Sequence, residues 1–208
     1  MATQESPRLI LLLGGARSGK SAYAEQLAGK LAGDASVLYI ATATPSDDEM
    51  RERITRHQAS RPPHWQTIEE PKNPADALRA SAAPVALLDC VTLLVANLML
   101  DGDHGGALDE ATLDAVAAQA DVDAAITRLL DVWRAGRATL IVVSNEVGMG
   151  LVPPYPLGRI YRDILGRVNA RLAAAADTVL LMVVGLPIEL KTLAAAWERE
   201  ATQRFGNL

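Results

Sequence analysis

Residues 9–21 read Leu-Ile-Leu-Leu-Leu-Gly-Gly-Ala-Arg-Ser-Gly-Lys-Ser, an apolar run followed directly by the pattern Gly-x-x-x-x-Gly-Lys-Ser. The apolar run predicts a buried strand, and the alanine-rich stretch from about Ser21 to Ala32 predicts a helix. In this order, the glycines let backbone N–H groups curl around phosphate oxygens at the positive end of the helix. Lys20 then reaches the β- and γ-phosphates, and Ser21 holds Mg²⁺. We therefore predict that the chain binds a nucleoside triphosphate, the alternative being a glycine-rich turn that arose by chance.

The composition bounds the class of protein. The 208 residues suffice for one α/β domain, and 50% of them are hydrophobic, but no apolar stretch reaches the roughly 18 residues of a membrane span. The net charge of −5 and the aromatic content of 4% disfavour general nucleic-acid binding. Cys90 is the only cysteine, which excludes an internal disulfide and a cysteine-rich zinc site. The first residues lack the pattern of a signal peptide, so we expect a cytoplasmic protein.

Five continuous apolar runs predict buried parallel strands, with helical patterns between them. The expected fold class is α/β: a P-loop NTPase-like, doubly wound, mainly parallel sheet with helices on both faces and ligands at the carboxyl ends of the strands. No linker divides the chain, which predicts a single domain over residues 1–208, its core at about 8–187. The strands expected are 9–13, 37–41, 85–88, 140–143 and 179–184, and the helices about 20–32, 46–60, 74–82, 91–100, 109–135, 158–175 and a peripheral 188–203.

Four polar residues near predicted strand ends are candidates for ligand contacts. Asp89 ends the run 85–88, the place of a carboxylate that helps to hold Mg²⁺ or its waters; a helix cap or turn residue would look the same. Arg17, inside the loop, either touches phosphate or lies in solvent. Asn145 and Glu146 follow another predicted strand, where they either contact substrate or metal or form a plain turn.

The segment 46–60 has the pattern of a helix with a histidine near its end. His57 has Arg53 one turn before it and Arg61 about one turn after it. Neighbouring cations disfavour imidazolium and so keep the imidazole neutral and nucleophilic, and they could also neutralise a phosphate that it attacks. Alternatively, His57 only packs at the edge of the apolar stripe on which it falls.

The size of the chain favours a kinase or transferase that acts on a small molecule. The Asn-Lys-x-Asp pattern of Ras-like GTPases is missing from the sequence. A nucleotide-dependent regulatory or scaffold module without transfer chemistry stays open as a different class of function. It has no evident need for a helix that pairs histidine with arginines.

Taken together, seven sequence blocks resemble the bifunctional adenosylcobinamide kinase / adenosylcobinamide-phosphate guanylyltransferase family. The phosphate loop alone is generic, but the blocks run in order from residue 9 to about 187, and their combination is specific. They are Gly-Gly-Ala-Arg-Ser-Gly-Lys-Ser, Leu-Tyr-Ile-Ala-Thr-Ala, Asp-Asp-Glu-Met-Arg-Glu-Arg-Ile-x-x-His, Arg-Pro-x-His-Trp, Leu-Leu-Asp-Cys-Val-Thr, Ser-Asn-Glu-Val-Gly-Met-Gly and Gly-Arg-Val-Asn-x-Arg-Leu-Ala.

The resemblance implies two reactions and a set of residues for them. ATP or GTP would phosphorylate adenosylcobinamide, and GMP from GTP would then pass through a GMP–histidine intermediate on His57 to give adenosylcobinamide-GDP. Lys20 would be the second catalytic residue, and Ser21 and Asp89 would hold Mg²⁺. The implied nucleotide contacts are Leu13, Gly14, Gly15, Ala16, Arg17, Ser18, Gly19, Lys20, Ser21, Ala41, Thr42, Ala43, Gln58, Ala59, Ser60, Arg61, Glu69 and Asp89.

The resemblance also implies a trimeric assembly. The chain departs from the family pattern at two positions. Arg56 stands where some members have a further histidine, and Asp89 stands where several have glutamate. The main alternative among enzymes is a P-loop kinase of another small alcohol, in which His57 is structural and no guanylyl transfer takes place.

Overall fold

The structure is a computed structural model that describes residues 8–44, 61–100 and 114–205. Its strands are β1 Leu9–Gly14, β2 Val37–Ala41, β3 Gln66–Glu69, β4 Val85–Asp89, β5 Thr139–Val143, β6 Thr178–Val183 and β7 Leu186–Glu189. They form one sheet in the order β3-β2-β4-β5-β1-β6-β7. Every neighbouring pair is parallel except β6 and β7, which form an antiparallel hairpin.

Helices cover both faces of this sheet. They are α1 Lys20–Ala32, α2 Pro74–Ala80, α3 Val91–Met99, α4 Ala115–Ala135, α5 Pro156–Ala175 and α6 Leu190–Phe205. On one face, α1 packs the small buried side chains of Ala24 and Ala28 against the sheet. On the other face, α2 to α5 share a larger apolar core with the opposite side chains of the same strands. Burial on both faces explains why the strands read as continuous apolar runs.

The predicted fold class is confirmed: the protein has a P-loop NTPase-like, doubly wound, mainly parallel sheet with helices on both faces. Each strand and helix predicted within the described ranges is present. The predicted helix 46–60 and residues 109–113 of the predicted helix 109–135 lie outside the described residues. None of the helices that the structure describes is long and apolar enough to cross a membrane.

Two short strands at the sheet edges were not predicted. In β3, only Ile68 is partly buried and packs on the core, because an edge strand has one pairing partner and little cover. The strand β7 contains Pro187, which argues against a central strand but is tolerated at an edge. The prediction of a helix from residue 188 is therefore wrong at its start: residues 188 and 189 belong to β7, and the helix begins at Leu190.

The strand register determines which residues lie together at the edge of the sheet where the site is expected. Ala41 pairs with both Glu69 and Asp89, and Asp89 pairs in turn with Val143. All of these residues end parallel strands, and the loop after β1 leaves the sheet at the same edge. The residues predicted from distant parts of the sequence therefore meet along one line of strand ends, where doubly wound sheets bind their ligands.

Candidate functional site

The loop between β1 and α1 has a backbone that glycine makes possible. Gly14 has a φ of 153° and Gly19 a φ of 94°. A Cβ on Gly14 would lie 2.6 Å from the carbonyl oxygen of Met182 on the neighbouring strand, so a side chain has no room there. Gly15, Ala16 and Arg17 are exposed, which leaves the middle of the loop open to a ligand.

Two neighbouring segments hold this loop in place. On one side, the backbone N–H of Glu146 donates to Gly14 O at 3.0 Å. On the other, the N–H of Gly185, in the β6–β7 turn, donates to Ser18 O at 3.0 Å. A Cβ on Gly19 would lie 3.3 Å from Gly185 Cα, so the two turns pack closely. The phosphate loop is thus pre-formed by contacts with β5 and β6, which lowers the ordering cost of ligand binding.

Lys20 lies at the start of α1 and curls back over the loop. Its side chain is 7% exposed, and Nζ donates to Gly15 O at 2.6 Å and to Ser18 Oγ at 3.4 Å. Burial lowers the pKa of Lys20, while its electrostatic interactions with Cys90 and Asp89 oppose this shift. Both of these hydrogen-bond acceptors are neutral oxygens, so an anionic phosphate would be a stronger partner for the ammonium.

Asp89 ends β4 with one carboxylate oxygen engaged. The Tyr39 hydroxyl donates to Asp89 Oδ2 at 2.8 Å, whereas Oδ1 has no hydrogen-bond partner among the residues that the structure describes. Burial, and next the charge of Asp89, raise the pKa of the Tyr39 hydroxyl, so it stays a donor. The second oxygen of Asp89 is therefore available to a metal ion or its water.

Ser21 and Asp89 together suit Mg²⁺ better than a metal that needs a complete protein cage. The described ranges contain no group of three or more histidine, cysteine or carboxylate side chains that could hold a metal. Mg²⁺ prefers oxygen ligands and is usually bound by one or two carboxylates together with substrate phosphates and water. A hydroxyl at the start of α1 and a carboxylate at the end of β4 supply such oxygens.

Thr42 ties the end of β2 to the start of α3. Its hydroxyl donates to Cys90 O at 2.7 Å and accepts from Cys90 N at 2.8 Å. Its backbone N–H donates to Asp89 O at 3.1 Å, and its carbonyl accepts from Asn97 Nδ2 at 2.9 Å. The polar groups of Thr42 are thus engaged within the protein, and nucleotide contact by Ala41, Thr42 and Ala43 stays a prediction.

Arg61 lies against β2 and α1 rather than in solvent. Its guanidinium carbon is 3.3 Å from the centroid of the Tyr39 ring, and its Nε is 3.6 Å from Glu25 Oε1. The side chain of Arg61 is 7% exposed. A cation stacked on an aromatic face and paired with a carboxylate is held firmly. The expectation that Arg61 contacts nucleotide therefore stays a prediction.

Glu69 lies at the far end of the same edge. It is exposed at the end of β3, four strand positions from β1, a separation of about 19 Å at the usual strand spacing. A ligand that touches both Glu69 and the phosphate loop would have to lie along the strand ends. Its role as a nucleotide contact stays a prediction. The other predicted site residues, His57, Gln58, Ala59 and Ser60, lie outside the described residues.

Sequence reasoning missed Tyr39. It stands inside the apolar run of β2, where periodicity marks it as one more core residue. One signal was available: a buried tyrosine hydroxyl usually has a hydrogen-bond partner, and a parallel neighbour ending in Asp89 could supply it.

For Glu146, the plain-turn alternative describes what the structure shows, because its carboxylate accepts from Gly148 N at 2.6 Å and from Met149 N at 3.1 Å.

Comparison with known proteins decides the family. The sequence profile of the family described as cobinamide kinase / cobinamide phosphate guanyltransferase matches residues 10–190. The chain belongs to this family. It is similar to the bifunctional adenosylcobalamin biosynthesis protein CobU of Escherichia coli, with 44% identity over 88% of this chain and 99% of the relative.

Two further comparisons differ in how similar the matched protein is to this chain. The bifunctional adenosylcobalamin biosynthesis protein CobP of Pseudomonas aeruginosa is 40% identical over 87% of this chain and 96% of its own length. Among solved structures, a KaiC-like protein of Pyrococcus horikoshii matches at a TM-score of 0.46 and 12% identity, covering 85% of this chain and 72% of that one. The first comparison extends the family assignment to a second relative of similar length, whereas the second is too remote to support an argument.

Proposed function

We propose that this protein phosphorylates adenosylcobinamide with ATP or GTP and then transfers GMP from GTP to the product, giving adenosylcobinamide-GDP in cobalamin biosynthesis. The observation that carries the proposal is a pre-formed phosphate loop in a chain that matches its family from residue 10 to residue 190. The names of the relatives, which describe bifunctional adenosylcobalamin biosynthesis proteins, support it.

In the kinase step, the protein acts by positioning and by electrostatics. The loop from Gly14 to Gly19 presents backbone N–H groups, and Lys20 places its ammonium beside the transferred γ-phosphate, where negative charge must be stabilised. Ser21 and Asp89 would hold Mg²⁺, which supplies further charge neutralisation when bound. The aminopropanol hydroxyl oxygen of adenosylcobinamide forms the new bond to phosphorus as the bond to the leaving nucleoside diphosphate breaks, and the hydroxyl proton is released to solvent.

In the transferase step, neutral His57 attacks the α-phosphorus of GTP. A nitrogen–phosphorus bond forms, the bond to the bridging oxygen breaks, and pyrophosphate leaves. The phosphate oxygen of adenosylcobinamide phosphate then attacks the same phosphorus and frees the imidazole, so one difficult transfer becomes two easier ones. Lys20 and the phosphate loop are suited to grip the leaving pyrophosphate.

Labelling with α-³²P-GTP tests the transferase half. The wild-type protein is expected to acquire an acid-labile, alkali-stable label, and His57→Ala is expected to lose it. His64→Ala is the matched control, because His64 is exposed and its backbone carbonyl, which the substitution retains, accepts from Ser36 Oγ at 2.7 Å. Absence of label on the wild type, or equal label on His57→Ala, contradicts the proposal.

The alternatives give different outcomes with γ-³²P-labelled nucleotide. A kinase of another small alcohol would leave adenosylcobinamide unlabelled and would form no guanylyl-enzyme. A regulatory or scaffold module would bind nucleotide and transfer neither group. The proposed function requires both transfers.

Cytoplasmic location and assembly into a homo-oligomer, a trimer, are part of the proposal. The assembly is the one that the family resemblance implies. Light scattering coupled to size-exclusion chromatography tests the assembly, and a monomer at micromolar concentration contradicts it.

A further inference from the structure

A line of three side chains leads from the helix that follows the phosphate loop to the carboxylate proposed to hold the metal. Glu25 on α1 pairs with Arg61, Arg61 stacks on the Tyr39 ring, and the Tyr39 hydroxyl donates to Asp89 Oδ2. Tyr39 is buried, with 3% exposure. Arg61 contacts the face of the Tyr39 ring, and Asp89 contacts its hydroxyl. Both contacts are made by one rigid side chain with only two rotatable bonds.

This arrangement fixes the direction of the Asp89 carboxylate. A carboxylate turns about its last bond with little resistance, but the hydrogen bond of 2.8 Å from Tyr39 holds Oδ2 toward the interior. Oδ1 is then the oxygen that is left for a metal ion. In metal sites, groups that hydrogen-bond a ligand in this way orient it, and their loss weakens metal binding.

Arg61 does not need to touch a phosphate to affect this site. Its side chain is almost as buried as that of Tyr39, and its stacking contact at 3.3 Å fixes the plane of the tyrosine ring. A change at Arg61 would reach Asp89 through the ring. The stack on Tyr39, the pairing of Nε with Glu25 and the hydrogen bond that Nη1 donates to Thr67 Oγ1 at 3.3 Å together hold the guanidinium against the protein.

We propose that Tyr39 is a positioning residue that holds Asp89 in the orientation that binds Mg²⁺ with the nucleotide, and that Arg61 acts on the same carboxylate through Tyr39. The proposal rests on the metal-binding part of the proposed function. It assigns a role to two residues that contact each other, so it predicts that their effects on metal binding are coupled.

Electron paramagnetic resonance with Mn²⁺ and the non-hydrolysable analogue GMP-PNP measures the metal affinity without any turnover. Tyr39→Phe retains the ring and removes only the hydroxyl, and it is expected to weaken Mn²⁺ binding to the nucleotide complex about tenfold. Affinity for GMP-PNP in EDTA should stay within about twofold of wild type, since the phosphate loop is untouched.

Tyr161→Phe is the matched control. Tyr161 also has a half-buried hydroxyl that donates near the site, to Thr92 O at 3.1 Å, but it does not touch Asp89. Tyr161→Phe should retain wild-type Mn²⁺ affinity. Unchanged Mn²⁺ affinity in Tyr39→Phe, or equal losses in the two tyrosine variants, overturns the proposal.

A double-mutant cycle tests the coupling. Arg61→Met should weaken Mn²⁺ binding in the same direction, and the double variant should lose less affinity in total than the product of the two separate losses. If Arg61 instead contacts phosphate directly, Arg61→Met will weaken GMP-PNP binding in EDTA as well, and the two effects will multiply. Should Arg61→Met fail to fold by circular dichroism, Arg61→Lys takes its place, because it keeps the charge and loses the planar stack.

These measurements are independent of His57 and of the corrinoid. A missing guanylyl-enzyme would contradict the proposed function and leave the Mn²⁺ result standing. Wild-type protein that binds GMP-PNP without any gain from Mn²⁺ would overturn the metal site, and the inference on Tyr39 with it.

Discussion

Gly14→Ala tests whether the phosphate loop depends on the close approach of β1 and β6. The new methyl group would meet Met182 O at 2.6 Å and Ser18 Oγ at 2.7 Å, well inside the 3.4 Å at which ordinary contacts begin. Ser18 can rotate away, but a strand carbonyl cannot move without breaking the sheet. The φ of 153° adds strain, typically about 1–3 kcal/mol.

The expected loss of unfolding free energy follows from these terms. Overpacking costs about 1–3 kcal/mol, and the lower entropy of the unfolded chain returns about 0.4–1 kcal/mol. The net destabilisation should be about 2–5 kcal/mol, which corresponds to a melting temperature lower by roughly 10 °C. Urea unfolding followed by circular dichroism measures it.

Gly15→Ala is the control, because a Cβ there meets no atom within 4 Å. It should change the unfolding free energy by less than about 1 kcal/mol. The reasoning is refuted if Gly14→Ala is as stable as wild type, or if the two alanine variants are equally destabilised. The first result would mean that β1 and β6 can separate at no cost, and the second would mean that the loss does not come from the contact with Met182.

Three further predictions concern the site. Lys20→Met should lower the rate of phosphoryl transfer about 100-fold or more. It should not lower the melting temperature, because the substitution removes a buried charge. Transfer at the wild-type rate contradicts this prediction. Nucleotide affinity, measured with a fluorescent GDP analogue, should fall as pH rises through the lowered pKa of Lys20, because the ammonium then loses its proton; a midpoint at or above the ordinary 10.5 contradicts it. Burial raises the pKa of the Cys90 thiol, so at pH 8 it should react with Ellman's reagent several-fold more slowly than free cysteine until the chain is unfolded.

The buried strands and the phosphate loop could be predicted from the sequence, because each has a pattern within a short stretch of residues. Strands covered on both faces must be apolar throughout, and the Gly-Lys-Ser pattern marks the boundary between β1 and α1. The edge strands β3 and β7 were missed, since an edge strand is partly exposed and one of them contains Pro187. Their pairing depends on strands that the local pattern does not identify as partners.

Part of the candidate site could be predicted from the sequence in the same way, and part could not. Lys20 and Asp89 could be placed from the sequence, because Lys20 closes the loop that follows β1, Asp89 ends β4, and parallel strands end at one edge. The contacts of Arg61 could not be placed, because they depend on side chains of α1 and β2 that no spacing rule brings together. The structure stacks Arg61 on Tyr39, and the phosphate contact that the charge of Arg61 suggested stays a prediction.

The β6–β7 hairpin limits how another protein can join this sheet. Its turn has positive φ at both Val184 and Gly185, as in a type I′ turn, whose closing pair is hydrogen-bonded. Alternation along the hairpin then turns the backbone of Pro187 and Glu189 outward, and proline has no N–H to donate. Of these two residues, only Glu189 could donate a backbone hydrogen bond to a partner strand. Association at this edge therefore has to rely on side-chain packing rather than on extension of the sheet.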